Sequence, residues 1–280
     1  MNLLDIKTQD DIEDGIGKIP SSENEKGKKI VFLVQVAGVI LILGSLFYIG
    51  RVFLDYHKAS SEYEALEKEV FGDVQPIITE AEENPSAPIE TDEDELIFAG
   101  VAKLHEENPD VVGWIKFDNL ELSYPVMQGT DNDYYLTHTF SGKSNPSGSI
   151  FMEAMNSDDF NDSHTLLYGH NMKNLSMFGA LKKYKNGGFY PGNEYFTIYT
   201  LDQIYRYQIF AYYDVPADDE IYQVGFEPGD EFQELLNHMK RRSYYDTGVK
   251  VVSTDKVVTL STCSSEGIRF VVNAKRIYEN

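Results

Sequence analysis

The chain has 280 residues, a formal charge of −22 and one cysteine. That excess of acid excludes a phosphate-binding surface for nucleic acid, which needs clustered Lys and Arg, and a polybasic surface that docks on anionic lipid. The lone cysteine excludes an internal disulfide and leaves Cys263 as either a buried small hydrophobe or a thiol in use.

Residues 1–29 are polar and mixed in charge, without hydrophobic periodicity, and read as a disordered cytoplasmic tail ending in Lys26, Lys28 and Lys29. Residues 30–50, IVFLVQVAGVILILGSLFYIG, form 21 positions without a charge, and about 20 apolar residues suffice to cross a bilayer. The run is too long for a signal-peptide core, and no small-x-small cleavage site follows. It is expected to stay as a transmembrane helix. Three lysines precede it, while Arg51, Lys58 and then mostly acid follow, which predicts a cytoplasmic N-terminus and an extracellular bulk. Residues 51–95 read as an acidic extracellular stalk, helical over 51–71 and then Pro-rich through Pro76, Pro85 and Pro88, with no core of its own. Residues 55–96 hold 14 acidic side chains against Lys58 and Lys68 alone, and so supply −12 of the total charge.

The folded domain is expected over 96–280. A short helix is predicted at 98–106, strands at 113–117 and 122–127, and a turn or short helix at 131–140. Strands follow at 149–152 and 165–168, a short helix at 177–184, and Tyr/Phe/Ile-rich strands at 195–200 and 203–215. Residues 230–242 form an amphipathic helix, because Phe232, Leu235, Leu236 and Met239 share one face at helical spacing. Two last strands flank Cys263. Seven or eight short strands with a few short helices make a mainly β chain, the pattern of a closed, mainly antiparallel β-barrel.

The chemistry centres on residues 257–277, VVTLSTCSSEGIRFVVNAKRI. Residues 257–262 alternate and are β-branched, Cys263 ends the run, and residues 264–267 are turn residues. If Arg269 opens the returning strand, it lies opposite Cys263, roughly 4.5–5.5 Å away between Cα atoms. A guanidinium there favours thiolate and can stabilise the oxyanion formed when the thiolate attacks a carbonyl. Without the thiol, Arg269 would read as a surface salt-bridge residue. A thiol nucleophile also needs a base. His57 falls in the stalk, His105 on a surface helix and His238 on the polar side of the amphipathic helix, leaving His138, His164 and His170. His170 follows an apolar strand and a glycine in LLYGHN, where side chains emerge at a strand end. No CxxC, HExxH, Walker loop or GxGxxG occurs. Asp131-Asn132-Asp133 and Asp158-Asp159 do not continue as calcium loops and read as solvated turns.

These residues resemble the sortases, membrane-anchored cysteine transpeptidases of Gram-positive bacteria. TLSTC at 259–263 matches the family's TLxTC signature, Arg269 follows, and His170 sits in YGHN upstream. The closer resemblance is to class B sortases. It spans about residues 97–280 and includes NPDVVGWIKF, YPVMQGTDNDYYL, GSIFME, LLYGHNMKNLSMFGAL and the helix before SYYDTGVKV. The resemblance implies a sortase-type β-barrel that needs no cofactor or metal. Cys263 would attack a Thr–Gly or Thr–Asn type bond in a C-terminal sorting signal of NPxTx or LPxTG type on a secreted protein. His170 would protonate the leaving amine and deprotonate the incoming one, which comes from a peptidoglycan precursor or a pilin. Arg269 would bind the substrate backbone and the oxyanion; Arg276 lies near the far end of the same strand. Ser261 and Thr262 would line the substrate groove, as would Asn132 and Leu136. His138 and His164 would then be structural. The competing readings are a hydrolytic cysteine peptidase with the same pair, and a non-enzymatic cell-surface binding module with Cys263 buried and inert.

Overall fold

The β-branched and aromatic runs form eight strands: β1 (Val111–Phe117), β2 (Ser123–Met127), β3 (Ile150–Met152), β4 (His164–Tyr168), β5 (Tyr195–Tyr199), β6 (Ile204–Pro216), β7 (Val257–Ser265) and β8 (Ile268–Glu279). In this computed structural model, which describes residues 22–72 and 91–279, they close into a barrel in the order β1-β2-β3-β4-β7-β8-β6-β5. Two pairs, β2 with β3 and β4 with β7, run parallel; the other pairs are antiparallel. A parallel pair needs a long crossover, and the β4-to-β7 connection carries β5, β6 and α3 (Asp230–Arg242). Its consequence is positional, because the residues that follow β4 and those that end β7 emerge on the same rim.

Strand β6 shows why the interior has two layers. Tyr207, Ile209 and Tyr212 join the barrel core with Trp114, Phe196, Leu260 and Val272. Phe210, Ala211, Tyr213 and Val215 instead face α3, whose Phe232, Leu235, Leu236 and Met239 cover them. Those four are the stripe predicted from spacing, and burying each such side chain stabilises by roughly 1.5–3 kcal/mol. The short helices at 131–140 and 177–184 are 3-10 turns at Tyr134–Leu136 and Phe178–Lys185.

The chain divides into two units, one up to Phe53 and one from Leu54 onward, each described by itself. Helix α1 (Ser22–Phe71) begins upstream of the expected span. From Gly27 it is the one helix among the described residues long and apolar enough to cross a membrane, with a best window of mean hydropathy 2.7. Of the expected disordered tail over 1–29, residues 22–29 instead belong to α1, while 1–21 and the Pro-rich stretch over 73–90 lie outside the described residues.

The expectation that 51–95 is a solvated stalk needs correction over its helical part. Ala59, Tyr63, Leu66 and Val70 of α1 are buried in the same core as the barrel. Helix α2 (Thr91–Glu107) starts ahead of residue 98 and adds Ile97, Val101 and Leu104 to that core. The folded unit therefore starts upstream of residue 96. The acidic residues of α1 occupy the faces that leave this narrow apolar stripe free, so composition concealed what spacing carried.

Candidate active site

Strand β7 is buried from Val257 to Thr262, and Cys263 is its first exposed residue. The strand runs on to Ser265, beyond its expected end at Cys263. The hairpin turn shrinks to Glu266 and Gly267, and Gly267 takes φ 69°, a left-handed conformation that suits glycine. Strand β8 returns with Arg269 directly opposite Cys263. The Arg269 guanidinium makes a long hydrogen bond to the Ile268 carbonyl at 3.4 Å, and no carboxylate pairs with it among the described residues. A salt-bridge role therefore does not account for it.

The parallel pairing of β4 with β7 sets Tyr168 opposite Ser261, and the Gly169 amide donates to the Ser261 carbonyl at 3.1 Å. His170 follows two residues after Tyr168, just beyond the end of β4, on the same rim as Cys263. The Asn171 amide closes the junction by donating to the Cys263 carbonyl at 2.6 Å. His170 Nε2 lies 2.7 Å from the Leu136 carbonyl oxygen. A carbonyl only accepts, so Nε2 carries a proton and the neutral ring holds its lone pair at Nδ1.

One cleft of about 330 Å³ is lined by Cys263, His170 and Arg269 together with Ser261, Thr262, Asn132 and Leu136. The polar members differ in what they have left to offer. The Asn132 amide donates to Glu153 Oε1 at 2.7 Å and accepts from the Ala154 amide at 2.9 Å, so it is held as part of the wall. Ser261 Oγ lies 2.9 Å from the Tyr222 hydroxyl. Thr262 Oγ1 is buried with no partner among the described residues.

Phe151, Tyr168, Ala217 and Tyr222 also line the cleft, and sequence reasoning missed them. Tyr168 donates to Glu153 Oε2 at 2.9 Å, so one buried carboxylate fixes two walls. Burial, and then that carboxylate, push the Tyr168 phenol well above its usual range; burial raises Tyr222 as well. Both stay neutral hydroxyls beside the thiol. Tyr168 and Glu153 fall in quoted stretches, YGHN and GSIFME, whereas nothing in the polar run around Tyr222 marked it.

The remaining candidates lie elsewhere. His138 stacks on Tyr134 with ring centroids 4.1 Å apart. His164 is buried, with Nδ1 donating to the Gln223 carbonyl at 3.1 Å and Nε2 2.8 Å from the Thr259 hydroxyl. Its pKa is lowered to about 4, chiefly by burial. His238 pairs with Glu220 on the surface. Arg276 holds the Phe160 carbonyl and Asn161 at the opposite end of β8. A groove of about 520 Å³ between α1 and the β1–β2 hairpin is larger than the cleft, but neither cysteine nor histidine lines it.

An exposed thiol flanked by an imidazole and a guanidinium in one cleft is the equipment of a thiol enzyme that transfers acyl groups. The family model for the sortase domain matches residues 115–277. Sortase B of Listeria monocytogenes is 37% identical over 163 residues, 58% of this chain and 66% of that protein's length. Sortase B of Staphylococcus aureus is 29% identical over 254 residues, 89% of this chain and 98% of that protein. The solved Staphylococcus aureus sortase B–substrate complex superposes with a TM-score of 0.68 at 29% identity, covering 80% of this chain and 98% of that one. The chain belongs to the sortase family of cysteine transpeptidases, in its class B.

Proposed function

We propose that this protein is a membrane-anchored transpeptidase that cleaves a C-terminal sorting signal of secreted proteins after Thr. The Cys263 thiol passes its proton to the free ring nitrogen of His170, and the resulting thiolate attacks the Thr carbonyl. His170 gives its proton to the departing amine as the C–N bond breaks, and a thioester to Cys263 remains. An incoming amine from the cell wall or a pilin then attacks the thioester and loses its proton to His170. The thiolate leaves, and the new amide joins the secreted protein to its acceptor. Arg269 binds the substrate backbone and the oxyanion that forms in each step. Residues 30–50 anchor the enzyme with its N-terminus in the cytoplasm and its catalytic unit outside, in keeping with the lysines ahead of the span. The observation that carries this reading is the cleft shared by an exposed Cys263, His170 and Arg269.

The test incubates the detergent-solubilised full chain with peptides of NPxTx and LPxTG type, with and without an added amine, and reads products by mass spectrometry. Cleavage after Thr with an amine-dependent amide product supports the reading. Acid product that no amine diverts would make the protein a hydrolytic peptidase. Cys263→Ala is expected to abolish the covalent acyl adduct without a change in thermal midpoint, because the side chain is exposed. An adduct in that variant would remove Cys263 from the mechanism.

A further inference from the structure

The ring of His170 is held by one backbone carbonyl, that of Leu136, and Leu136 ends a short 3-10 turn with no strand partner of its own. What keeps that carbonyl in place lies in the loop that follows, residues 137–149. The Ser149 amide donates back to the Tyr135 carbonyl at 2.9 Å. Gly148, at φ 56°, packs so close that a Cβ there would lie 2.5 Å from the Tyr135 oxygen and 2.7 Å from the Leu136 oxygen. The loop thus presses its own backbone against the peptide that holds His170.

Helix α1 grips that loop through three residues, Asp55, Glu62 and Tyr63. The Tyr63 hydroxyl, on a buried side chain, donates to the Gly148 carbonyl at 2.7 Å and lies 3.0 Å from Ser149 Oγ. Glu62 accepts from Thr139 Oγ1 at 3.2 Å and from the Ser141 amide at 3.0 Å. Asn145 donates to the Asp55 carbonyl at 2.8 Å. The contacts run without a gap from Tyr63 to Gly148, from Gly148 to the Leu136 peptide, and from that peptide to His170 Nε2.

We propose that Glu62 and Tyr63 of α1 are positioning residues for catalysis: by clamping the 137–149 loop they fix the Leu136 carbonyl on His170 and lock its ring in the Nε2–H tautomer. The helix that follows the apolar span then does more than hold the enzyme at a distance from the membrane. It is a working part of the site, and the orientation of the acid/base group depends on it. A ring released from the carbonyl samples both tautomers, and only one of them carries its lone pair at Nδ1. This inference rests on His170 serving as the acid/base group.

The test compares the detergent-solubilised full chain with a Glu62→Ala/Tyr63→Phe double variant. Tyr63→Phe keeps the edge-on packing against Tyr124 and removes only the hydroxyl. Ring nitrogens of isotope-labelled histidine are read by NMR at a pH where the ring is neutral, with His170 assigned from His170→Gln. The wild type is expected to show a single Nε2–H ring. The double variant is expected to show a tautomer mixture and to lose roughly 10-fold or more in kcat, the scale of a small misplacement of a catalytic group. Glu62→Gln, whose side chain can still bond Thr139 and Ser141, is expected to restore both readouts when Tyr63 is intact. Leu66→Ala is the control, because it loosens the α1 core contact and leaves every α1–loop hydrogen bond named above in place. It should lower the thermal midpoint while keeping the ring and the rate. A ring that stays locked in the double variant overturns the proposal, as does a mixed ring without loss of rate. The same changes in Leu66→Ala would also overturn it, by tracing them to stability alone. A wild-type rate in His170→Gln would instead fault the site reading, and the ring spectra would still judge the clamp.

Discussion

The two ends of the β4–β7–β8 ribbon carry the same two side-chain types and treat them in opposite ways. At the rim, His170 and Arg269 flank an exposed thiol, and the guanidinium has a single long bond to its neighbour's carbonyl. At the far end, His164 is sealed between Thr259 and Gln223, while Arg276 grips Phe160 and Asn161 and lies over the Tyr205 ring. Residue type therefore says little about role here. The lesson is that hydrogen-bonding capacity spent on the protein stabilises it, and capacity left over at an accessible rim is available to a substrate.

The sharpest way to break the comparison is to make the same change at both ends. His170→Gln can still donate to the Leu136 carbonyl but cannot shuttle a proton, and its rate is expected to fall on the order of 10²- to 10⁴-fold with little change in thermal midpoint. His164→Gln should do the reverse. Its folded fraction keeps a near wild-type rate while stability drops by about 1–3 kcal/mol, the cost of disturbing a buried hydrogen-bonded group. Peptide turnover and denaturant titration of both variants decide it; equal loss of rate in the two would dissolve the distinction. Arg269→Ala is expected to cost about 100-fold in kcat, comparable to removing an oxyanion donor. Arg269→Lys should recover little, because an ammonium lacks the planar fork. A near-normal rate for Arg269→Ala would shift oxyanion binding to backbone donors.

The buried histidine also makes a prediction about pH. Its folded pKa is lowered to about 4 by burial, against about 6.5 for an unfolded histidine. The unfolded chain therefore binds a proton first as pH falls, and stability drops through the window between those values. The loss between pH 7 and pH 5 is about 2 kcal/mol by linkage. Denaturant midpoints across that range should show this slope, and His164→Gln should flatten it. An unchanged slope in the variant would place the titration on other groups.

Much of this was legible because it rests on local pattern. Alternating β-branched residues drew β7, and the 3.6-residue stripe drew α3. A turn between Cys263 and Arg269 implied that the two face each other. Tyr222 was not legible, because it reaches the cleft from a 3-10 turn in the β6–α3 connection, and only tertiary packing brings it to Ser261. The parallel β4–β7 pairing was equally hidden, since a crossover through two strands and a helix leaves no local signal. The part of α1 that follows the span was misjudged for a different reason. Its acidic faces dominate the composition, and the stripe at Ala59, Tyr63, Leu66 and Val70 is narrow.

The smallest expected effect sharpens the comparison most cleanly, because it concerns the same strand. Arg269 and Arg276 both lie on β8, and only Arg269 lies opposite the thiol. Arg276 is committed at the far end: it bonds the Phe160 carbonyl and Asn161, and it stacks 3.6 Å from the centroid of Tyr205. Arg276→Ala should therefore cost about 1–2 kcal/mol of stability through lost hydrogen bonds and the cation–π contact. The rate of the folded enzyme should stay within about twofold, since surface substitutions remote from the chemistry act through stability. Turnover measured well below the thermal midpoint separates the two terms. A large loss of kcat with stability intact would mean that the far end of β8 reports to the cleft, and the contrast between the two ends would fail.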